Sequence, residues 1–204
     1  MHVYHVPGTR SDRVVWALEE LGDPYEVTVL KGEDRETPEH LQRHPLGRVP
    51  VVSDNEGYLF ESAGLCLHLA DLHPEASLAP AAGTHERALL YQWLFFAMTE
   101  VEPPLVDIYV QEQLSDEPDD ELVAAARARF DTVANVIERE LAERDYLLPS
   151  GFSVADIVMG KVVDFAIGMG LAAGLVNLAA YQKRLHARPA FARISAAGTT
   201  TAET

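Results

Sequence analysis

A single cysteine, Cys66, stands in 204 residues, so no internal disulfide framework is possible and a reducing compartment is expected. Positive charge is scarce as well, with 16 Lys and Arg against 32 Asp and Glu, a formal net charge of −16. A chain with that balance repels nucleic acid and anionic membrane surfaces, so neither is expected as a partner. Long apolar runs are missing too, and none approaches the roughly 18 to 20 residues that span a bilayer. The opening Met1-His2-Val3-Tyr4-His5 lacks the charged segment and apolar stretch of a secretion signal, so the expected location is cytoplasmic. Metal-ligand patterns are thin. His40 and His44 have the spacing of a helical pair, but no Cys or acidic partner completes a site, and His2 and His5 fall on opposite faces of a strand. No metal is expected. What is present, 48% hydrophobic and 24% charged residues, suits a globular protein with a real core.

The chain divides near residue 80. Before that point short strand-like pieces alternate with helical ones. Val3 to Val6 and Tyr25 to Leu30 read as strands, and Ser11 to Leu21 carries Val14, Leu18 and Leu21 at helical spacing until Gly22-Asp23-Pro24 stops it. Pro50 to Ser53 and Tyr58 to Phe60 flank the turn Asp54-Asn55-Glu56-Gly57 and form a hairpin. Ser62 then caps a helix with Leu65, Leu69 and Leu72 on one face, ended by His73-Pro74. The order β-α-β-α-β-β-α, a parallel βαβ unit followed by an antiparallel hairpin and a helix, is the thioredoxin-like layout. The predicted fold is α+β, with that domain over residues 1–76, an Ala- and Pro-rich linker over 77–84 and an all-α domain over 85–204.

In the second domain, Thr84 to about Gln113 is helical, and Pro103-Pro104 must kink or break it because two donors are missing. Asp119 to Glu143 turns Leu122, Phe130, Val133, Ile137 and Leu141 inward. The acidic run Asp116 to Glu121 ahead of it reads as a solvated loop that puts carboxylates at a helix N-terminus. Ser153-Val154-Ala155-Asp156 is a capping-box variant, and the helix it starts is apolar on nearly all sides, hence buried. Leu175 to Ala187 and Pro189 to Ala197 are shorter helices, and residues 198–204 form a disordered tail.

Two short motifs carry chemistry. Val49-Pro50 is either an edge proline at a strand start or a cis proline that turns the Val49 backbone toward an extended peptide. Glu61-Ser62 is either a plain helix cap or a head-group site. In the second reading the helix N-terminus and the Ser62 hydroxyl receive a carboxylate and Glu61 receives an ammonium, which fits the γ-glutamyl end of glutathione.

In order and spacing, Thr9-x-Ser11-x-Arg13, Pro45-x-Gly47-x-Val49-Pro50 and Glu61-Ser62 resemble the cytosolic glutathione S-transferase family. Ser153-Val154-Ala155-Asp156 resembles the capping signature of that family's core helix, and Tyr181-Gln182-Lys183-Arg184 with Arg188-Pro189-Ala190-Phe191 resembles its C-terminal pattern. The likeness runs from about residue 3 to 195. It implies that Val49 holds the cysteinyl backbone of glutathione beside Pro50, that Glu61 and Ser62 hold the γ-glutamyl group, and that Arg48 reaches the glycine carboxylate. His44 stands where many relatives have Asn. The resemblance also implies a cytoplasmic homodimer with a detoxification role.

Attack by glutathione requires a thiolate, and a thiol with a pKa near ~8.5 is only a few per cent ionised at pH 7. Lowering that pKa by about two units takes roughly 2.7 kcal/mol. One hydroxyl hydrogen bond to an ion supplies about 1.5 to 3 kcal/mol, and a helix N-terminus adds part of the rest. Serine-type relatives place Ser four residues before the helix arginine, where this chain has Thr9. Ser11 is the alternative, and the competing reading is that both only cap the helix. Tyr4 lies too early for a tyrosine-type arrangement, and the resemblance implies a bacterial-type, serine- or threonine-activated member. Cys66 reads as a buried small hydrophobe. Trp93, Phe95, Phe96, Met98 and Tyr109 form an aromatic and thioether stripe, mostly core and domain interface, with Tyr109 the candidate to line an electrophile pocket between domains. The implied reaction joins glutathione to a small hydrophobic electrophile. The competing readings are a glutathione-dependent peroxidase or disulfide reductase, and a non-catalytic glutathione- or ligand-binding protein.

Overall fold

A computed structural model describes the backbone of residues 1–197 and the side chains of residues 1–194. The expected disordered tail over 198–204 lies outside the described residues. The chain forms two compact units, Met1–Ala79 together with the segment from His186 onward, and Pro80–Leu185.

The first unit is built on strands β1 (His2–His5), β2 (Glu26–Val29), β3 (Val51–Ser53) and β4 (Tyr58–Phe60), in the sheet order β2-β1-β3-β4. β1 and β2 pair in parallel, and β3 pairs antiparallel with both β1 and β4. Helix α1 (Ser11–Leu21) links the parallel pair, and its residues Ser11 to Leu18 are all buried. It stops where Gly22 turns left-handed at φ 73° and donates its N–H to the Leu18 carbonyl at 2.9 Å. Between β2 and β3 lie one 3-10 turn, Glu33–Glu36, and α2 (Pro38–Arg43), which Thr37 caps by accepting from the His40 N–H. The β3–β4 hairpin closes on Asp54, whose carboxylate accepts the N–H groups of Glu56 and Gly57. Helix α3 (Ser62–Leu72) follows, with Leu65, Cys66 and Leu69 buried. Leu72 departs from the expected apolar face and is 51% exposed, because it occupies the last turn beyond the packed stretch.

The second unit is all helical among its described elements. Helix α4 (His85–Phe96) runs through a π-helical turn, Ala97–Val101, into α5 (Glu102–Tyr109). The α-helix is interrupted ahead of Pro103 and Pro104, as expected of two missing donors, but by a π-helical turn and not by a break in the path. They are the second and third residues of α5, and the wider turn ahead accommodates the two missing donors. Helix α6 (Asp120–Glu140) is capped by Asp119, which accepts from the N–H groups of Glu121 and Leu122. Phe130, Ile137 and Leu141 face inward as expected. Leu122 does not; it is 41% exposed, in the first turn ahead of the packed stretch. Helix α7 (Val154–Gly168) is the buried centre of this unit, and α8 (Val176–His186) packs its Leu178, Tyr181 and Leu185 inward. No described helix is long and apolar enough to cross a membrane.

Helix α9 (Pro189–Ala197) belongs to the first unit and packs on α1. Arg188 donates to both carboxylate oxygens of Glu20 at 2.6 and 2.8 Å, and Glu20 also accepts from the Trp16 indole at 2.9 Å. The Trp16 ring meets Phe191 edge-on at 4.9 Å.

Candidate functional site

The loop after β1 turns at Gly8 (φ 78°) and enters α1 with Arg10 at the N-cap position. Arg10 supplies no side-chain cap. Capping falls to its neighbour, since Thr9 Oγ1 accepts the Ser11 N–H at 3.3 Å, a long bond. The two hydroxyls named from sequence differ sharply in surroundings. Ser11 is fully buried and its oxygen is enclosed. It accepts from the Val6 N–H at 3.1 Å, lies 2.9 Å from the Val6 carbonyl, 2.8 Å from Thr9 Oγ1 and 2.7 Å from Nδ1 of His5. Thr9 is half-buried, its hydroxyl 2.7 Å from the Val6 carbonyl.

His5 and Asp12 were not singled out for this site from sequence. His5 is fully buried, and burial lowers its pKa against the opposing pull of Asp12, so the ring is neutral near pH 7. Asp12, itself buried, accepts the Gly8 N–H at 3.1 Å and places the same oxygen 4.0 Å from His5 Nε2. The only sequence signal for this cluster was a histidine ending a strand two residues before Pro7-Gly8.

The segment leading to Val49-Pro50 is fixed by His40 and His44, the two histidines at helical spacing. His40 is fully buried, and its Nε2–H donates to the Arg48 carbonyl at 3.0 Å. His44 Nδ1 accepts the Leu46 N–H at 3.1 Å, the role an Asn side chain plays in an Asx turn. That accounts for histidine at a position where Asn is the usual residue. The ring also packs on Phe60 at 4.6 Å, and burial lowers its pKa, with Glu61 pulling the other way. Among the described residues, no group of three or more His, Cys, Asp or Glu is placed to hold a metal ion. Gly47 sits at φ 61°, where a Cβ would lie 2.6 Å from the Arg35 carbonyl oxygen, so only glycine fits. The Val49–Pro50 peptide is cis, Val49 is buried and Arg48 is exposed.

At α3 the expected cap is shifted by one residue. Glu61 holds the N-cap position at φ 76°, exposed and making no side-chain cap, and Ser62 is the first helical residue. Ser62 therefore stands inside the helix, and the N-cap role falls to the residue before it. Its buried hydroxyl instead accepts from Arg13 Nη1 of α1 at 3.1 Å, which leaves its own hydrogen free to donate. The α3 N-terminus thus keeps free backbone donors, next to a hydroxyl fed by a buried guanidinium and an exposed carboxylate. Arg13, for which the sequence pattern implies no role beyond its place in the motif, joins the two helix ends of the site. Cys66, on the same helix, is fully buried, and burial pushes its thiol up to about 12 against the pull of Arg13.

Tyr109 lies in the second unit and is 39% exposed. It meets Phe165 edge-on at 5.6 Å and borders a cavity of about 490 Å³ together with Glu112, Gln113, Asp164 and Met169. Both carboxylates are neutralised, Glu112 by Arg127 at 2.6 Å and Asp164 by Lys161 at 3.3 Å. Of the rest of the aromatic stripe, Trp93 is buried, Phe96 and Met98 are half-buried and Phe95 is 67% exposed.

Residues 1–71 match the family model for the glutathione S-transferase N-terminal domain. The chain is 31% identical over 153 residues to a probable glutathione S-transferase of Oryza sativa subsp. japonica, covering 71% of this chain and 70% of that one. It is 29% identical over 192 residues to glutathione S-transferase 4 of Zea mays, covering 90% and 86%. Among solved structures it resembles a sphingomonad glutathione S-transferase complexed with glutathione, with a TM-score of 0.86, 29% identity and coverage of 98% and 100%.

Proposed function

The chain belongs to the glutathione S-transferase family, and on that premise we propose that a hydroxyl at the start of α1 ionises glutathione, whose thiolate then attacks a hydrophobic electrophile. Thr9 is the hydroxyl assigned to the sulfur. The observation that carries this choice is the contrast in exposure, since Thr9 is half-buried beside the open N-terminus of α1 while Ser11 is enclosed. This makes the protein a serine- or threonine-activated member of the bacterial type.

The rest of the peptide follows the polar groups. The γ-glutamyl carboxylate sits on the α3 N-terminus and the Ser62 hydroxyl, and its ammonium faces Glu61. The cysteinyl backbone pairs with Val49 beside Pro50, and Arg48, exposed on the same loop, takes the glycine carboxylate. Tyr109 and the cavity beside it receive the second substrate. With its carboxylates paired, that cavity suits an uncharged aromatic or aliphatic electrophile. A second copy of the chain covers β4, an edge strand that exposes Tyr58, Leu59 and Phe60 together. Sedimentation should accordingly report a dimer.

Turnover with aryl halides, epoxides, hydroperoxides and mixed disulfides tests the reaction class. Conjugation of aryl halides or epoxides supports transfer. Activity confined to hydroperoxides or disulfides would make the protein a reductase on the same site, and glutathione binding without turnover would end the enzyme mechanism proposed here. For the activating group, the absorbance of bound thiolate is titrated in Thr9→Ala and Ser11→Ala. Thr9→Ala should raise the thiol pKa by about one to two units, the worth of one hydrogen bond to an ion.

A further inference from the structure

Glycine weakens a helix, because it loses more backbone freedom on folding than any other residue. It is kept where the backbone turns left-handed, where another group comes too close for a Cβ, or where the helix must stop. Gly168, the last residue of α7, meets none of these conditions. Its backbone is helical, not left-handed. A Cβ built on it would meet no atom within 4 Å. The helix is stopped by Gly170, two residues later, which turns left-handed at φ 73°. The Gly170 N–H donates to the Ile167 carbonyl at 2.9 Å and the Leu171 N–H to the Ala166 carbonyl at 3.0 Å, the pair of bonds that completes such a stop.

What Gly168 does face is the cavity beside Tyr109. Asp164 and Phe165 precede it by four and three residues, so all three share one face of α7, and all three border that cavity of about 490 Å³. A side chain at 168 would therefore grow into the cavity. We propose that Gly168 is a specificity-determining residue, kept without a side chain so that a flat aryl group of the electrophile can lie against the bare backbone of α7. The inference rests on the assignment of this cavity to the second substrate.

The walls around the bare stretch set the class of group. The rings of Tyr109 and Phe165 meet edge-on at 5.6 Å, and Met169 adds a polarisable thioether, which makes favourable contacts with aromatic rings. Asp164 does not oppose an apolar occupant, because Lys161 engages its carboxylate at 3.3 Å and the Gln182 amide donates to it at 3.1 Å. Small-molecule sites run from roughly 300 to 1,000 Å³, which puts this cavity in the lower half of the range. One added side chain thus takes a substantial share of it, and the width left at Gly168 decides how large an aryl group enters.

Glutathione conjugates read the cavity without requiring turnover. Calorimetry measures the Kd of glutathione, S-benzylglutathione and S-(naphthylmethyl)glutathione for the full-length wild type and for Gly168→Ala, Gly168→Leu and Tyr109→Ala. In the wild type both aryl groups should add affinity over glutathione. Relative to glutathione in the same variant, Gly168→Leu should weaken the naphthyl conjugate about tenfold or more and the benzyl conjugate less. Gly168→Ala should lie between, and it should raise Tm, because alanine serves the helix better and its methyl meets no neighbour. Should Gly168→Leu not fold, the naphthyl conjugate decides between wild type and Gly168→Ala. Conjugate affinities that Gly168→Leu leaves unchanged overturn the inference. If Tyr109→Ala weakens the conjugates in that case, the cavity still holds the second substrate and only the role of Gly168 falls. If the aryl groups add no affinity in the wild type, or neither position affects them, the cavity assignment fails and the inference with it. A lowered Tm in Gly168→Ala would show that the fold itself needs this glycine, which also overturns the inference.

Discussion

Single residues in this site are held more tightly than their side chains suggest. Gly47 is the clearest case. Its φ of 61° and the Arg35 carbonyl oxygen at 2.6 Å from a prospective Cβ leave no room for alanine. Gly47→Ala should cost at least about 1 to 2 kcal/mol, the penalty of a left-handed L-residue, and the clash adds to it. Because the next residues are Arg48 and Val49, the glutathione KM should rise with the loss of stability. Denaturant unfolding and steady-state kinetics on the same variant check both. Cys66 makes the opposite point, a reactive atom made inert. With its thiol pushed up to about 12 and no exposed surface, it should resist iodoacetamide at pH 8 in the folded protein and react only when urea opens the core. Labelling of the native protein at the rate of a free thiol would refute that. Ser62 lies between these two, because its hydroxyl serves both Arg13 and the proposed ligand carboxylate. Ser62→Ala should weaken glutathione binding roughly ten- to a hundredfold, as expected for a bond to an ion. Unchanged affinity would remove Ser62 from the binding scheme.

At the scale of elements, α7 depends on one buried carboxylate. Asp156 Oδ1 accepts from the Leu147 N–H and the Tyr181 hydroxyl, both at 2.9 Å, and Oδ2 accepts from the N–H and hydroxyl of Ser153. Burial pushes Asp156 from 3.8 up to about 6, although those four bonds pull it down. A carboxyl raised on folding contributes stability that is full below its unfolded pKa and is lost as pH rises through its folded pKa. The window here runs from about pH 4 to pH 6, and the shift of roughly two units amounts to about 3 kcal/mol. Urea unfolding of wild type and Asp156→Asn across that window should show the wild-type advantage shrinking as pH rises. An advantage that grows with pH would mean the four donors outweigh burial. This capping box was legible in the sequence because it is local, with Ser153 and Asp156 one turn apart. The hairpin, α1 and α9 were legible for the same reason. The path through Pro103-Pro104 was not, since the π-helical turn that accommodates it begins six residues earlier and has no composition of its own. The His5–Ser11–Thr9 line was also hidden. Its members are close in sequence, but their spacing matches no helix or strand period, and only the turn at Gly8 brings them together.

On the scale of the whole molecule, the chain returns at its end to where it began. Helix α9 follows the entire helical unit in sequence yet packs on α1, the helix whose N-terminus carries the proposed activating hydroxyl. No local pattern announces such a contact, since its partners are 168 residues apart along the chain. The Arg188–Glu20 pair is the best handle on it. Glu20 has 10% of its side chain exposed and Arg188 27%, so water screens the pair only in part. The geometry is bidentate, and Glu20 also orients the Trp16 indole, which is fully buried against Phe191. Arg188→Ala therefore removes more than a surface ion pair, which is worth at most about 1 kcal/mol, and less than a fully buried one, whose loss costs about 3 to 5 kcal/mol. A loss of about 2 kcal/mol, or roughly 4 to 8 °C in Tm for a chain of this length, is the expected outcome. Because α1 loses its support along its length and not at its start, kcat at low temperature should change little while thermal inactivation moves to lower temperature. Glu20→Gln in the Arg188→Ala background should then cost little more, as both substitutions break the same pair. If the two losses instead add in full, the pair does not hold α9, and the Trp16–Phe191 contact carries the docking by itself.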